Sequence, residues 1–463
     1  MTDYSVMKDF TFGSRDEFTR EPIAEKIIKL LDSAIDVSPM IIDGKWGTGK
    51  TEFCFKLKNL IEADNTNDYK IGYVNAFQAD HANEPLLTLI AAVAGLYEPK
   101  DRVKFIKKAI PYLRLVTGIG LKSGLSLILG KYGSELSDEY SEGMEDINEG
   151  SKSFIDQSLE SMIKDQIEAE KNLHTLQTTL VEITEKNPVI LLIDELDRCR
   201  PDFAVAMLET IKHVFDIENV QIVLVTNVEQ LKATIKHSYG SETDSHSYLY
   251  KFFKYQINLP TTSKGAENRT VDNNVTYFRK VVQESKVIPQ SFKDNELIYE
   301  IPTFLDVGTL SLRNIEQIVR CIETLVVFEN IERSKSLTIE QILMVFLSFV
   351  YMMDKDLLNQ IVTRHINPTK FSNFIRGTRL DMRQPYYRSD ILNDLSVKNL
   401  FLIAFDKYFV NSFLDLPSST IDQQAVKAHI QISLAKYDYV SDMHNDEYIK
   451  QIINNLLLFD IVK

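Results

Sequence analysis

A run of eight residues, GKWGTGKT from Gly44 to Thr51, has the spacing GxxxxGK[ST]. Glycines at these intervals let successive backbone N–H groups turn toward one anion, because glycine takes the required angles and admits phosphate closely. A lysine placed as Lys50 neutralises β- and γ-phosphates, and a hydroxyl placed as Thr51 ligates Mg²⁺. The nucleotide-binding stretch is therefore read as Gly44, Trp46, Gly47, Thr48, Gly49, Lys50, Thr51 and the adjoining Glu52. A phosphate cradle needs a second anchor for the metal, and LLIDELDRC supplies one. Asp194 is expected to hold Mg²⁺ through water. Glu195 beside it is expected to take a proton from the attacking water, work worth roughly 10²–10⁴ in rate. The competing reading of these two carboxylates is an acidic pair at a helix start.

Three further residues are candidates for the same chemistry. Asn227 stands where the apolar run ending in Val225 gives way to polar side chains, so it either orients the lytic water or caps the next helix. Arg198 either serves catalysis with Asp197 or forms a local ion pair with it. Arg313, in SLRNIE, either reaches a γ-phosphate or stands solvated at a helix start.

These residues need a strand–loop–helix frame. PMIID at 39–43 is an apolar strand entering the glycine loop, and the apolar positions of 51–63 repeat at helical spacing. IGYVNAF at 71–77 predicts a second strand, and a helix with a proline near its start follows from 85 to 96. PVILLI at 188–193 is apolar without alternation, as expected of a strand covered on both faces. A helix over 202–215, a strand over 220–225, a helix over 228–237 and a strand near 255–259 continue the alternation. The pattern predicts an α/β fold, a parallel sheet flanked by helices, with an inserted segment and an all-α C-terminal region. The expected boundaries are 1–97 and 151–262 for the phosphate-binding core, 98–150 for the insertion, 263–335 for a helical lid-like region, and 336–463 for a helical C-terminal domain. No internal repeat is evident.

At 463 residues the chain is long enough for two or three domains. Lys+Arg 52 against Asp+Glu 66 leaves a formal net charge of −14, so the surface as a whole repels nucleic acid and anionic lipid. Cys54, Cys199 and Cys321 are too far apart for a CxxC pair and read as interior thiols. The first residues lack the basic start and apolar run of a signal peptide, so a cytoplasmic location is expected. ILMVFLSFVYMM at 342–353 is shorter than the roughly 20 residues of a spanning helix and reads as a buried one. The stretch 110–130 is long enough but carries Arg114 and Lys122, and a mid-span lysine costs about 2.5–3.5 kcal/mol. A surface or interface hairpin fits better, with association of 98–150 with a membrane surface left open.

GKWGTGKT, the YVNAF strand, the long insertion, LLIDELDRC, and VTNVEQL followed by YLYKFFKYQINLP together resemble the KAP family of P-loop NTPases, a branch of the STAND-like ATPases, over residues 15–330. The resemblance implies an ATP-binding, Mg²⁺-dependent hydrolase, and bacterial relatives are commonly linked to phage exclusion and mobile-element conflict. It therefore implies a nucleotide-driven switch or assembly in such defence, with a possible companion protein. The family often carries membrane helices in the insertion, which here is too polar for them. Related ATPases often complete their sites with a neighbour's arginine, and Arg198 and Arg200 are placed for that role in a homo-oligomer. An alternative is a slowly hydrolysing signalling or scaffold NTPase.

A second alternative is a nucleic-acid-processing ATPase, resting on 364–388. There Arg364, Lys370, Arg376, Arg379, Arg383 and Arg388 stand against the one acid Asp381, with Phe371, Phe374, Tyr386 and Tyr387 interleaved. Such a stretch suits single-stranded nucleic acid. It equally suits pairing with acidic faces of this chain or of a second subunit.

Overall fold

The apolar runs of the sequence become one parallel sheet in the computed structural model of the chain, which describes residues 7–117, 159–264, 270–328, 338–363, scattered positions from 365 to 374, and 445–458. Strands β1 (Met40–Asp43), β2 (Lys70–Asn75), β3 (Val189–Asp194), β4 (Val220–Thr226) and β5 (Tyr255–Asn258) lie in the order β2-β3-β4-β1-β5. Every pairing is parallel. Parallel neighbours require crossovers, which put helices on both faces of the sheet. The strand ending in Thr226 thus separates the phosphate-loop strand β1 from the carboxylate strand β3, and the three strand ends stand side by side.

All six residues of β3 are buried, and the five apolar ones alternate between two apolar clusters. Val189, Leu191 and Ile193 face one cluster, into which α3 (Pro85–Ala94), α5 (Leu159–Thr184), α6 (Pro201–Thr210) and α7 (Val228–Tyr239) send Leu89, Leu176, Phe203 and Leu231. Ile190 and Leu192 face the other, closed by Ile27 of α1 (Glu21–Leu31) and by Phe53 and Leu57 of α2 (Lys50–Ala63). Both Asp16 carboxylate oxygens start α1, accepting from the Arg20 N–H at 2.8 Å and the Glu21 N–H at 3.0 Å.

Within the segment 98–150, the helix α4 (Pro99–Thr117) packs against α5, and Phe105, Ile106, Ala109, Ile110 and Leu113 are buried in the first cluster. This stretch contributes to the core instead of decorating it, because its apolar positions recur at helical spacing. Residues 118–158, with the rest of the glycine-rich and acidic runs, lie outside the described residues.

The chain divides into two units, Met1–Pro260 and Thr261–Lys463. The second begins with a short antiparallel pair, β6 (Thr262–Lys264) and β7 (Thr270–Asp272), and is otherwise helical among the described residues. In it, α8 (Asn273–Glu284), α9 (Leu312–Phe328), α10 (Thr338–Met353), α11 (Lys355–Thr363) and α12 (Asn445–Leu458) pack together. Ile315, Ile318, Ile322 and Leu325 form the buried stripe of α9, and α10 is buried from Ile342 to Tyr351 as its apolar run predicts. No helix among the described residues is long and apolar enough to cross a membrane. All three cysteines are buried and free.

Lys370 is ion-paired with Asp354, at 3.0 Å, and with Asp356, and Phe374 meets Phe346 edge-on. At these two positions the basic, aromatic stretch serves packing within its own unit. Arg376, Arg379, Arg383 and Arg388 lie outside the described residues.

Candidate functional site

Between β1 and α2 the chain turns through Gly47 (φ 70°) and Gly49 (φ 80°), both left-handed. A side chain in that region carries strain, so glycine spacing and loop shape are one requirement. The Gly44 N–H donates to the Thr226 carbonyl at 3.1 Å, fixing the loop's entry to the end of β4. Lys50 is buried, and its ammonium donates to the carbonyls of Gly44 at 2.7 Å and Lys45 at 3.2 Å. Burial lowers its pKa, opposed by Asp197 and Asp194.

Asp194 ends β3 without solvent exposure. One oxygen accepts the Glu195 N–H at 2.8 Å and the other the Tyr73 hydroxyl at 3.3 Å. Burial pushes its pKa up to about 6, offset in part by the nearby Thr51 hydroxyl. A threonine hydroxyl at the start of α2 and a carboxylate at the end of β3 are hard oxygen donors of the kind Mg²⁺ takes, with water and phosphate as remaining ligands. Among the described residues there is no cluster of three or more His, Cys, Asp or Glu suited to a metal.

Glu195 is 4% exposed and adopts φ 63°. That conformation costs a non-glycine residue on the order of 1–3 kcal/mol, and such strain concentrates at functional sites. Its Oε2 accepts from Asn75 Nδ2 at 3.1 Å and its Oε1 from Arg198 at 3.0 Å. Arg198 therefore pairs with Glu195 in its own chain, not with Asp197. Arg200 donates from its side chain to Asp80 Oδ1 at 3.0 Å, to the Asp80 carbonyl at 2.7 Å and to Asn83 at 3.0 Å.

Asp197 is buried, its two oxygens accepting from the Trp46 indole N–H and from the Thr226 hydroxyl. Asn227 caps α7, accepting the Gln230 N–H at 3.4 Å, and Asp43 accepts the Val228 N–H at 2.9 Å. Glu52 pairs with Lys56 at 2.8 Å and Arg15 at 3.2 Å. Arg313 belongs to the second unit, exposed at the second position of α9, whose start is closed reciprocally by Ser311 and Asn314.

Composition and spacing give no signal for three contributors. Arg20 is buried and donates to the Thr48 carbonyl at 2.8 Å and the Pro260 carbonyl at 3.3 Å, bracing the loop from behind; burial lowers its pKa to about 10. Tyr73 and Asn75 come from β2, where they alternate with core residues on a neighbouring strand of the carboxylates. The strand order brings Lys50, Thr51, Asp194, Glu195 and Asp197 into one network at the ends of adjacent strands, where an open parallel sheet binds its ligands.

The sequence model of the family described as KAP family P-loop domain matches residues 20–374. No curated protein matches the chain significantly. Solved structures that resemble it include the Aeropyrum pernix ORC1 protein in complex with DNA, 15% identical, covering 96% of this chain and 93% of that one at a TM-score of 0.31. Another is Cdc6p from Pyrobaculum aerophilum, 12% identical, covering 95% and 94% at a TM-score of 0.34.

Proposed function

Because the chain belongs to the KAP family of P-loop NTPases, we propose that it is a Mg²⁺-dependent ATP hydrolase acting as a nucleotide-driven switch or assembly. The observation that supports hydrolysis is the buried Asp194 at the end of β3 with Glu195 next in the chain, buried and held by Asn75 and Arg198, beside the glycine loop that carries Lys50 and Thr51. The loop N–H groups from Lys45 to Thr51 bind the phosphates, and Lys50 turns its ammonium from the loop carbonyls to the terminal phosphate. Thr51 and Asp194 would hold Mg²⁺, which when bound neutralises phosphate charge. Glu195 takes the proton of the attacking water.

Phosphate release by the purified chain tests this reading. Lys50→Ala is expected to weaken ATP binding at least tenfold. Glu195→Gln is expected to bind normally and lose roughly 10²-fold or more in turnover. An undiminished rate for Glu195→Gln would falsify the assignment of the base.

One observation favours the slower, switch-like form of the same activity. Both oxygens of Glu195 are engaged, by Asn75 and Arg198, so an attacking water shares the carboxylate with two donors already in place.

Self-association, cytoplasmic action and a role in bacterial defence against phage or mobile elements, with a companion protein, extend the family resemblance. Light scattering with ATP and the Glu195→Gln variant tests the first, and a monomer at all concentrations argues against it. Phage challenge of cells expressing the chain or its Lys50→Ala variant tests the last, and equal plaque counts remove it. Nucleic-acid binding through 364–388 is tested by replacing Arg376, Arg379 and Arg383 with Ala. Binding that persists in the triple variant argues against that surface.

A further inference from the structure

Asp197 follows the base by two positions, and both of its oxygens already accept a hydrogen bond from elsewhere in the site. Its carboxylate is 4% exposed, one oxygen accepting the Trp46 indole N–H and the other the Thr226 hydroxyl at 3.1 Å. Trp46 stands in the phosphate loop, Thr226 at the end of β4, and Asp197 in the single turn Leu196–Arg198 after β3. The same Thr226 accepts the Gly44 N–H through its carbonyl, so loop, strand and turn close into a ring of hydrogen bonds. The indole itself is 50% exposed, more than packing alone would leave a tryptophan, while its one donor is directed at a buried charge.

We propose that Trp46 and Asp197 are a positioning pair that holds the phosphate loop at a set distance from Glu195, so that the bound terminal phosphoryl and the base meet in register. This rests on the ATPase reading above. A hydrogen bond to a charged acceptor is among the stronger ones in a protein, and a misplacement of about 1 Å between reacting groups costs on the order of 10²-fold in rate. The pair therefore acts on the chemical step more than on affinity.

The experiment compares Trp46→Phe, Asp197→Ala, Asp197→Asn and the Trp46→Phe/Asp197→Ala double variant with the unaltered chain. Trp46→Phe keeps an aromatic ring at this position and removes the indole donor. Asp197→Asn keeps the pairing, its amide oxygen accepting from the indole and its NH₂ donating to Thr226. Expected are a loss of about 10–100-fold in kcat for Trp46→Phe and Asp197→Ala, with ATP Kd within about threefold of the unaltered protein. The double variant loses no more than the worse single one, and Asp197→Asn recovers most of the rate. Additive losses, an unchanged kcat in Trp46→Phe, or an Asp197→Asn as poor as Asp197→Ala each overturn the proposal.

A second readout does not depend on turnover. Trp46 is the only tryptophan of the chain, so its emission reports this one contact. Asp197→Ala is expected to shift the emission maximum, and Asp197→Asn to restore it, in the nucleotide-free protein. Identical spectra in all three overturn the pair even if the chain proves not to hydrolyse ATP. Normal spectral behaviour with no phosphate release in the unaltered protein instead counts against the hydrolase reading alone.

Discussion

Asn75 Nδ2 donates to Glu195 Oε2 across 3.1 Å, joining the last residue of β2 to the residue that follows β3. The amide cannot readily turn over, because its Oδ1 accepts the Gln78 N–H at 2.9 Å as the cap of the next helical turn. Asn75 therefore competes with water for the base. Asn75→Ala is expected to raise basal phosphate release about threefold to tenfold while leaving ATP Kd unchanged. A fall in release would mean that the amide orients the base for catalysis.

Asp194 predicts a pH dependence of definite sign. Burial raises its pKa to about 6 from 3.8, so between those values the folded chain holds a proton that the unfolded chain has lost. Its contribution to stability is present at low pH and is lost as pH rises through 6. In Mg²⁺-free protein, Asp194→Asn is expected to melt about 4 °C higher at pH 8, with the difference vanishing near pH 4. Mg²⁺-dependent ATP binding by the unaltered chain should weaken below pH 6, where the carboxylate protonates. Calorimetric scans across pH check the first statement and titrations at pH 5 and 8 the second.

Phe105 decides whether α4 belongs to the core. It is 1% exposed and packs in the cluster shared with the sheet. Phe105→Ala is expected to destabilise the chain by about 3–5 kcal/mol, measured by urea unfolding. A loss below about 1 kcal/mol would show that α4 is only laid on the surface.

Arg200 is committed to Asp80 and Asn83, although its side chain remains 59% exposed. Arg200→Ala is expected to cost about 1–2 kcal/mol, discounted for solvent access, with no change in light scattering with or without ATP. Loss of an ATP-dependent assembly in this variant would reassign the arginine to a neighbour's site.

The loop, the carboxylate strand and the alternation of strands with helices are legible in sequence because each is written in a short window, by spacing or by an unbroken apolar run. The contacts that tune the site are not. Arg20 reaches Thr48 over 28 positions, and Tyr73 and Asn75 reach Asp194 and Glu195 over 121 and 120. Such pairings follow from strand order and leave no periodicity along the chain. Asn227 shows the opposite limit, since the chemistry of a cap and of a water-orienting amide is the same in sequence. Its oxygen is in fact bound to Gln230. The charge of Lys370 likewise meets Asp354 and Asp356, one and three residues past the end of α10, a pairing that charge counting over 364–388 does not register.

The resting position of Lys50 makes ligand entry an exchange reaction. Its ammonium already has two oxygen partners in its own loop, at Gly44 and Lys45, so an incoming anion replaces contacts instead of creating them. An ion that engages only the backbone N–H groups leaves the lysine where it lies. One that extends to the ammonium must outcompete two carbonyls and then holds the side chain away from them. When that far group departs, the carbonyls are again the nearest acceptors, and the recoil of the side chain favours a looser grip on what remains. The ratio of ATP to ADP dissociation constants measures this preference, and equal values in the presence of Mg²⁺ would show that the lysine does not change partners.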